Sequence, residues 1–214
     1  MIRHDWRTTP ATAAIAATTI LVSLIVTLLG FEEWAAIVGG FIPARVGLAI
    51  VGGVPALVPA IATPLSATLV HGGVAHLLMN MILFGYAGVA VERALGSRGL
   101  VALYIVGAYA AAAGQWLPEP GSPNPMIGAS GAASAVLGAY SMLYGTSRAR
   151  AFGPVPARVV QALWLALAWS VINIAVALVA RDAGLNIAAG AHIGGFVAGL
   201  ALARPLLGWR YRGA

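Results

Sequence analysis

The sequence predicts an all-α fold, a polytopic membrane protein with six transmembrane helices, on three observations. Hydrophobic residues make up 60% of the 214 and charged residues only 8%, whereas a soluble globular domain carries about 25% charged residues. Six stretches approach or reach the roughly 20 mostly apolar residues that a bilayer-spanning helix needs. The arginines fall unevenly on the connections between those stretches, which sets an orientation.

So few charges cannot cover a water-facing surface, so the bilayer is the expected environment. The length suits one membrane domain over 1–214: a tail at 1–10, a six-helix core at 11–207 with an outer loop at 31–63, and a tail at 208–214. There is no cysteine, which excludes disulfides, thiolate metal sites and cysteine nucleophiles. All twelve basic residues are arginine, a usage that points to a GC-rich bacterial genome and hence to a bacterial inner membrane. A net charge of +6 would suggest nucleic acid in a soluble protein. Here the placement of the arginines explains it, and no nucleic-acid partner is expected.

The six stretches are Ala11–Leu29, Leu69–Ala90, Leu100–Trp116, Ile127–Tyr144, Val159–Ala180 and Ile187–Leu207. The first follows Arg3 and Arg7 like the start of a signal peptide. Its long apolar run without a convincing cleavage site reads instead as a retained helix. A seventh stretch, Val46–Ala62, is interrupted by Gly52, Gly53, Pro55 and Pro59, which disfavours a regular helix.

Charge decides between six and seven. With six spans one side receives Arg3, Arg7, Arg93, Arg98, Arg148, Arg150, Arg158, Arg204, Arg210 and Arg212, and the other only Arg45 and Arg181. Counting acids, the sides carry +8 and −2, a positive-inside pattern with both termini cytoplasmic. A seventh span would put the later arginine clusters on the opposite side from the N-terminus. The apolar connection at 31–63 then lies outside, against the protein or in the interface, with Trp34 as an anchor, because irregular backbone is not tolerated in lipid.

Polar residues inside spans are expensive and are functional candidates by default. Three of the four histidines, His71, His76 and His192, lie in predicted spans. His76 and Asn80 are four apart in HGGVAHLLMNM and share a helix face. Ser130 lies in GASGAASA, after the breaker-rich GSPNPM, and His192 lies in AHIGGFVAGL. The second, fourth and sixth spans all run from outside to inside, and these residues occupy their N-terminal portions. At about 1.5 Å rise per residue, each falls within roughly 5–15 Å of the outer boundary. Gly131 with Ala135, and Gly195 with Gly199, form small-residue rows that let membrane helices approach closely. Gly128 allows a tight turn into the fourth helix, whose first N–H groups are free. In the fifth span, Asn173 and Gln161 read as helix contacts or an end, and Trp164 and Trp169 as lipid or core contacts.

A serine hydroxyl needs an adjacent base to become a nucleophile, and His192 is the credible one. No carboxylate lies in a span core, so the expected unit is a Ser130–His192 dyad. Asn80 and His76, with the Ser130 N–H, have the donor chemistry that a developing oxyanion requires. Hydrolysis also requires water, so a polar cavity open to the outside is expected. A zinc protease would want a His-Glu-x-x-His pattern and an aspartyl protease two membrane aspartates; neither is present. No metal or other cofactor is expected.

HGGVAHLLMNM resembles the second-helix motif of the rhomboid family, GASGAASA its Gly-x-Ser-Gly motif, and AHIGGFVAGL its sixth-helix histidine motif. VERALGS and VALYIVGAYAAAAG are similar too, so the resemblance runs roughly from Thr63 to Leu200. It implies a rhomboid-like bundle and an intramembrane serine endopeptidase, with Ser130 as nucleophile and His192 as general base. His76 and Asn80 would contribute to the oxyanion hole, with Gly128 beside it, and His71 would support the site at its outer edge. The implied substrates are single-pass membrane proteins with unstable helices, cut near the outer face. The alternative is a non-proteolytic rhomboid-like protein that binds membrane clients. Two departures stand out. Ser134 occupies the position, four after the serine, where some members place an aromatic against the histidine, and the first loop lacks a Trp-Arg pair found in some bacterial members.

Overall fold

The computed structural model describes residues 8–50, 57–146, 149–182 and 186–212, the first stretch without the side chains of 48–50. Arg3, His4, Asp5, Arg7, Gly52, Gly53, Pro55, Arg148 and the middle of the 181–186 loop lie outside the described residues. The helices are α1 (Pro10–Leu28), α2 (Glu32–Gly39), α3 (Pro43–Ile50), α4 (Thr63–Ser66), α5 (Val74–Trp116), α6 (Ser130–Tyr144), α7 (Ala157–Asp182) and α8 (Ala189–Arg210). Among the described residues β-structure is limited to isolated bridges, Phe41 with Met126 and Phe152 with Val155.

The protein is all-helical and integral to a membrane: α1, α5, α7 and α8 are long and apolar enough to cross one. The 43-residue α5 contains a break at Gly96, with φ 74° and ψ 165°, a conformation open to glycine because it lacks a Cβ. The two parts of α5, together with α1, α6, α7 and α8, give each predicted span a helical counterpart. α6 is the shortest at 15 residues and lies at the centre, packed against α5 and α8 with Ala132, Ala133, Ala135, Val136 and Ala139 fully enclosed.

Two boundaries differ from the sequence reading. The second span, expected from Leu69, becomes helical only at Val74, because Gly73 adopts φ 100° at the N-cap. His71 therefore precedes the helix. The expected connection after Ala90 is helical up to Gly96, so the turn is a single-residue break. The segment 31–63, expected on the outer side, is partly helical among its described residues, in α2 and α3.

α1 starts without a side-chain cap from its own N-cap Thr9, yet its first turn is satisfied. Pro10 has no N–H, and Ala13 N–H donates to Thr9 O at 3.2 Å. The N–H groups of Ala11 and Thr12 donate to the Glu92 carboxylate at 2.9 and 2.7 Å. The Thr12 hydroxyl (2.6 Å) and the Ser97 hydroxyl (2.6 Å) complete four bonds, two on each oxygen. Glu92 is buried at 2% exposure. A carboxylate at a helix N-terminus is favourable in both charge and hydrogen bonding, and here it joins α1 to the Gly96 break. Arg210 donates to the Arg93 carbonyl at the same break, so the end of α8 reaches this end of the bundle too.

Glu92→Gln turns one acceptor oxygen into a donor facing other donors. It is expected to lower stability by about 2–3 kcal/mol, the loss typical of hydrogen bonds to a charged group left unmet. A fall in thermal midpoint in detergent checks this; an unchanged midpoint would show that the α1 cap is dispensable.

Candidate active site

The site sits at the end of the bundle opposite Glu92. The segment before α6 is tied to the stretch between α2 and α3 by paired backbone bonds, Phe41 N–H to Met126 O (3.0 Å) and Met126 N–H to Phe41 O (2.8 Å). Gly128 then takes φ +105°, and its N–H donates to Ala67 O at 2.9 Å. A Cβ at Gly128 would also lie 2.8 Å from His76 Nε2 and 3.8 Å from Ser130 Oγ. Bare backbone at Gly128 is thus what lets the His76 ring approach the serine. This turn puts Ser130 at the first position of α6, where no side chain caps the helix. The first-turn N–H groups have no partner within the helix.

His192 comes from the first turn of α8. Its Nε2 lies 2.8 Å from Ser130 Oγ. The two helices meet backbone to backbone: a Cβ at Gly195 would run into the Gly131 carbonyl oxygen, and one at Gly199 into the Ala135 carbonyl oxygen. Gly131 itself faces Ala111 of α5 and Ala191 of α8. Small residues permit such close crossing, and the crossing sets the distance between serine and histidine.

The other imidazole nitrogen, His192 Nδ1, lies 2.8 Å from Asn173 Oδ1 on α7. Asn173 Nδ2 donates to Trp169 O at 3.0 Å, and the Trp169 indole N–H donates to His192 O at 3.1 Å. The Trp169 ring stacks on Phe196 with centroids 4.8 Å apart and planes 14° from parallel. Ser134, buried on α6, supplies no ring. The histidine is held by α7 instead. In the sequence alone Asn173 reads as a helix contact or an end, and Trp169 as a lipid or core contact. The available signal is an asparagine one turn from a tryptophan, midway along a largely apolar helix.

His71 and His76 form a second layer, their rings 5.0 Å apart edge to face. His71 is buried at 1% exposure. Its Nε2 accepts the Ala129 N–H at 3.2 Å. Its Nδ1 therefore carries the proton and donates to Ser23 Oγ (2.9 Å), which donates on to Leu69 O (2.8 Å). His71 thus fixes the residue before the serine to α1. His76 Nδ1 accepts the Gly72 N–H at 3.3 Å, which leaves Nε2–H as a donor on the Gly128 side. Asn80 lies one turn further along α5. One of its amide hydrogens goes to His76 O at 2.8 Å, within its own helix, and its Oδ1 is buried without a partner among the described residues. Ser130 and His192 are brought together, His76 is brought beside them, and Asn80 is turned along its helix.

Residues 60–209 match the family model of the rhomboid domain. The chain belongs to the rhomboid family. It is also similar to RHOMBOID-like protein 4 of Arabidopsis thaliana, with 31% identity over an alignment of 158 residues that covers 68% of this chain and 35% of the relative. The chain therefore matches about a third of that relative's length. The rhomboid match begins after α1, α2 and α3. In this rhomboid α1 is nonetheless joined to the domain at both ends, by Glu92 at one and by Ser23 with His71 at the other.

Proposed function

We propose that this rhomboid is an intramembrane serine endopeptidase that cuts single-pass membrane proteins with a Ser130–His192 dyad. The observation that carries the reading is the 2.8 Å contact between Ser130 Oγ and His192 Nε2 at an uncapped helix N-terminus. His192 Nε2 takes the serine proton as Oγ attacks the scissile carbonyl. The oxyanion that forms meets the Ser130 N–H and His76 Nε2–H, with Asn80 as a further donor if its amide turns from its helix. The proton on His192 passes to the leaving amine, and water then hydrolyses the acyl-serine by the same route in reverse. No step calls on a metal or cofactor.

The arginine distribution supports an orientation with both termini cytoplasmic and the serine on the outer side. The arginine-only usage favours a bacterial inner membrane, and the helices, packed as one bundle, favour a single membrane domain over 1–214. Substrates would present a helix that unwinds easily near the outer face.

The test is purified protein in liposomes with a model single-pass substrate, beside a fluorophosphonate probe read by mass spectrometry. The expected result is cleavage, with the probe on Ser130 and both signals lost in Ser130→Ala. Cleavage that survives Ser130→Ala would sink the dyad. A folded wild type that binds the substrate without cutting it, and leaves the probe unreacted, would favour client binding.

A further inference from the structure

α7 packs chiefly along α8, and of its 26 residues only Asn173 and Ala180 are buried. The one polar side chain it buries meets the imidazole of His192. Three links join the pair of helices there: Asn173 to the ring, Trp169 to the backbone carbonyl of the same histidine, and the Trp169–Phe196 stack one turn along α8.

The chemistry of the amide fixes which way round it sits. An Asn offers a donor end and an acceptor end that look alike by shape and are told apart by their partners. The atom facing Trp169 O, 3.0 Å away, must be the NH2 group, since two oxygens there would repel. The atom 2.8 Å from His192 Nδ1 is then Oδ1, which can only accept. Nδ1 must therefore carry the proton, and in the neutral ring Nε2 is left with a lone pair. That lone pair faces Ser130 Oγ at 2.8 Å. The opposite tautomer would set two acceptors against each other at Nδ1 and leave Nε2 unable to take the serine proton.

We propose that Asn173 is a positioning residue, holding His192 in the one neutral tautomer that can act as base toward Ser130, an inference that rests on the proteolytic reading above. It replaces the missing carboxylate in orientation, though not in charge. It also makes α7 part of the active unit, because a shift of α7 away from α8 breaks the bond to Nδ1.

The other titratable group acting on His192 is His76 of α5, with His71 behind it. α6 contributes Ser130 and α7 Asn173, both neutral. Against that setting two variants are informative. Asn173→Ala is expected to lower kcat by about 10- to 100-fold, by analogy with the loss found when the partner that orients a metal-bound histidine is removed, with KM little changed. Asn173→Asp restores an acceptor at Nδ1, so part of the activity returns. Its charge favours the protonated imidazole, which is inactive as a base, so the acid limb of the pH–rate profile moves to higher pH. A purely structural asparagine does not predict a kcat-only loss, and an unchanged kcat in Asn173→Ala overturns the proposal.

The tautomer can also be read without turnover, from nitrogen-15 spectra of histidine-labelled protein with the His192 signal identified by its loss in His192→Ala. The expected wild-type spectrum shows Nδ1 protonated and Nε2 bare, and Asn173→Ala shows a mixture of tautomers. A wild type protonated at Nε2 overturns the proposal whether or not any substrate is cut. A folded wild type with the Nδ1 tautomer and no cleavage counts against the proteolytic reading alone.

Discussion

Ser130→Ala, His192→Ala and the double variant should each lose cleavage by about 10⁴-fold or more and lie within a few-fold of one another, because members of one catalytic unit do not act additively. The physical reason lies in the 2.8 Å contact. A serine hydroxyl at neutral pH is a poor nucleophile until its proton has somewhere to go, so removing His192 leaves Ser130 nearly inert. Without Ser130 the imidazole has no proton to take. What survives is the contribution of the donors around the oxyanion and of substrate binding, and that residue is common to all three variants. Single-turnover cleavage in liposomes is the measurement. If the two single losses multiply in the double variant, serine and histidine act independently and the dyad assignment is wrong.

Much of this arrangement is legible in the sequence, and the parts that are not have a common cause. Length and composition mark the spans, since a bilayer penalises polar residues at depth. Gly128 beside Ser130 marks a turn into a helix, because only glycine tolerates the φ found there easily. The rotation of each helix about its axis is not marked in the same way. Asn173 reads alike whether it braces two helices or faces an imidazole, and only the packing of α7 on α8 distinguishes the two. Asn80 is the converse. Its place four residues after His76 puts it on the right face, but its amide can bond its own helix carbonyl, and it does. His71 was expected to support the site from the outer edge of a helix. It lies before α5, buried between Ser23 and the Ala129 N–H, since the two glycines that follow it delay the helix by about one turn. In the sequence Glu92 reads only as a charge near a span end, although the α1 N-terminus depends on it.

Gly199→Leu should disrupt both the fold and the site. A Cβ at Gly199 would meet the carbonyl oxygen, carbonyl carbon and Cα of Ala135, all backbone, so no side-chain rotation relieves the clash. The helices α6 and α8 must move apart. Overpacking a core commonly destabilises by about 1–3 kcal/mol, and a rigid backbone partner puts this substitution at about 3 kcal/mol or above. One turn away the Gly195–Gly131 contact holds His192 and Ser130 together, so the same displacement lengthens the bond between nucleophile and base. The expected result is a lower thermal midpoint in detergent, together with loss of cleavage in whatever fraction remains folded. Gly85→Ala is the control. It lies inside α5 with nothing within 4 Å of the added carbon, so its stability should not fall but rise by about 0.5–1 kcal/mol, the gain of alanine over glycine in a helix interior. A wild-type-like Gly199→Leu would mean that α6 and α8 are loosely packed at this level. A stable but inactive Gly199→Leu would mean instead that the helices yield locally, and that the serine–histidine distance is the first property lost when they do.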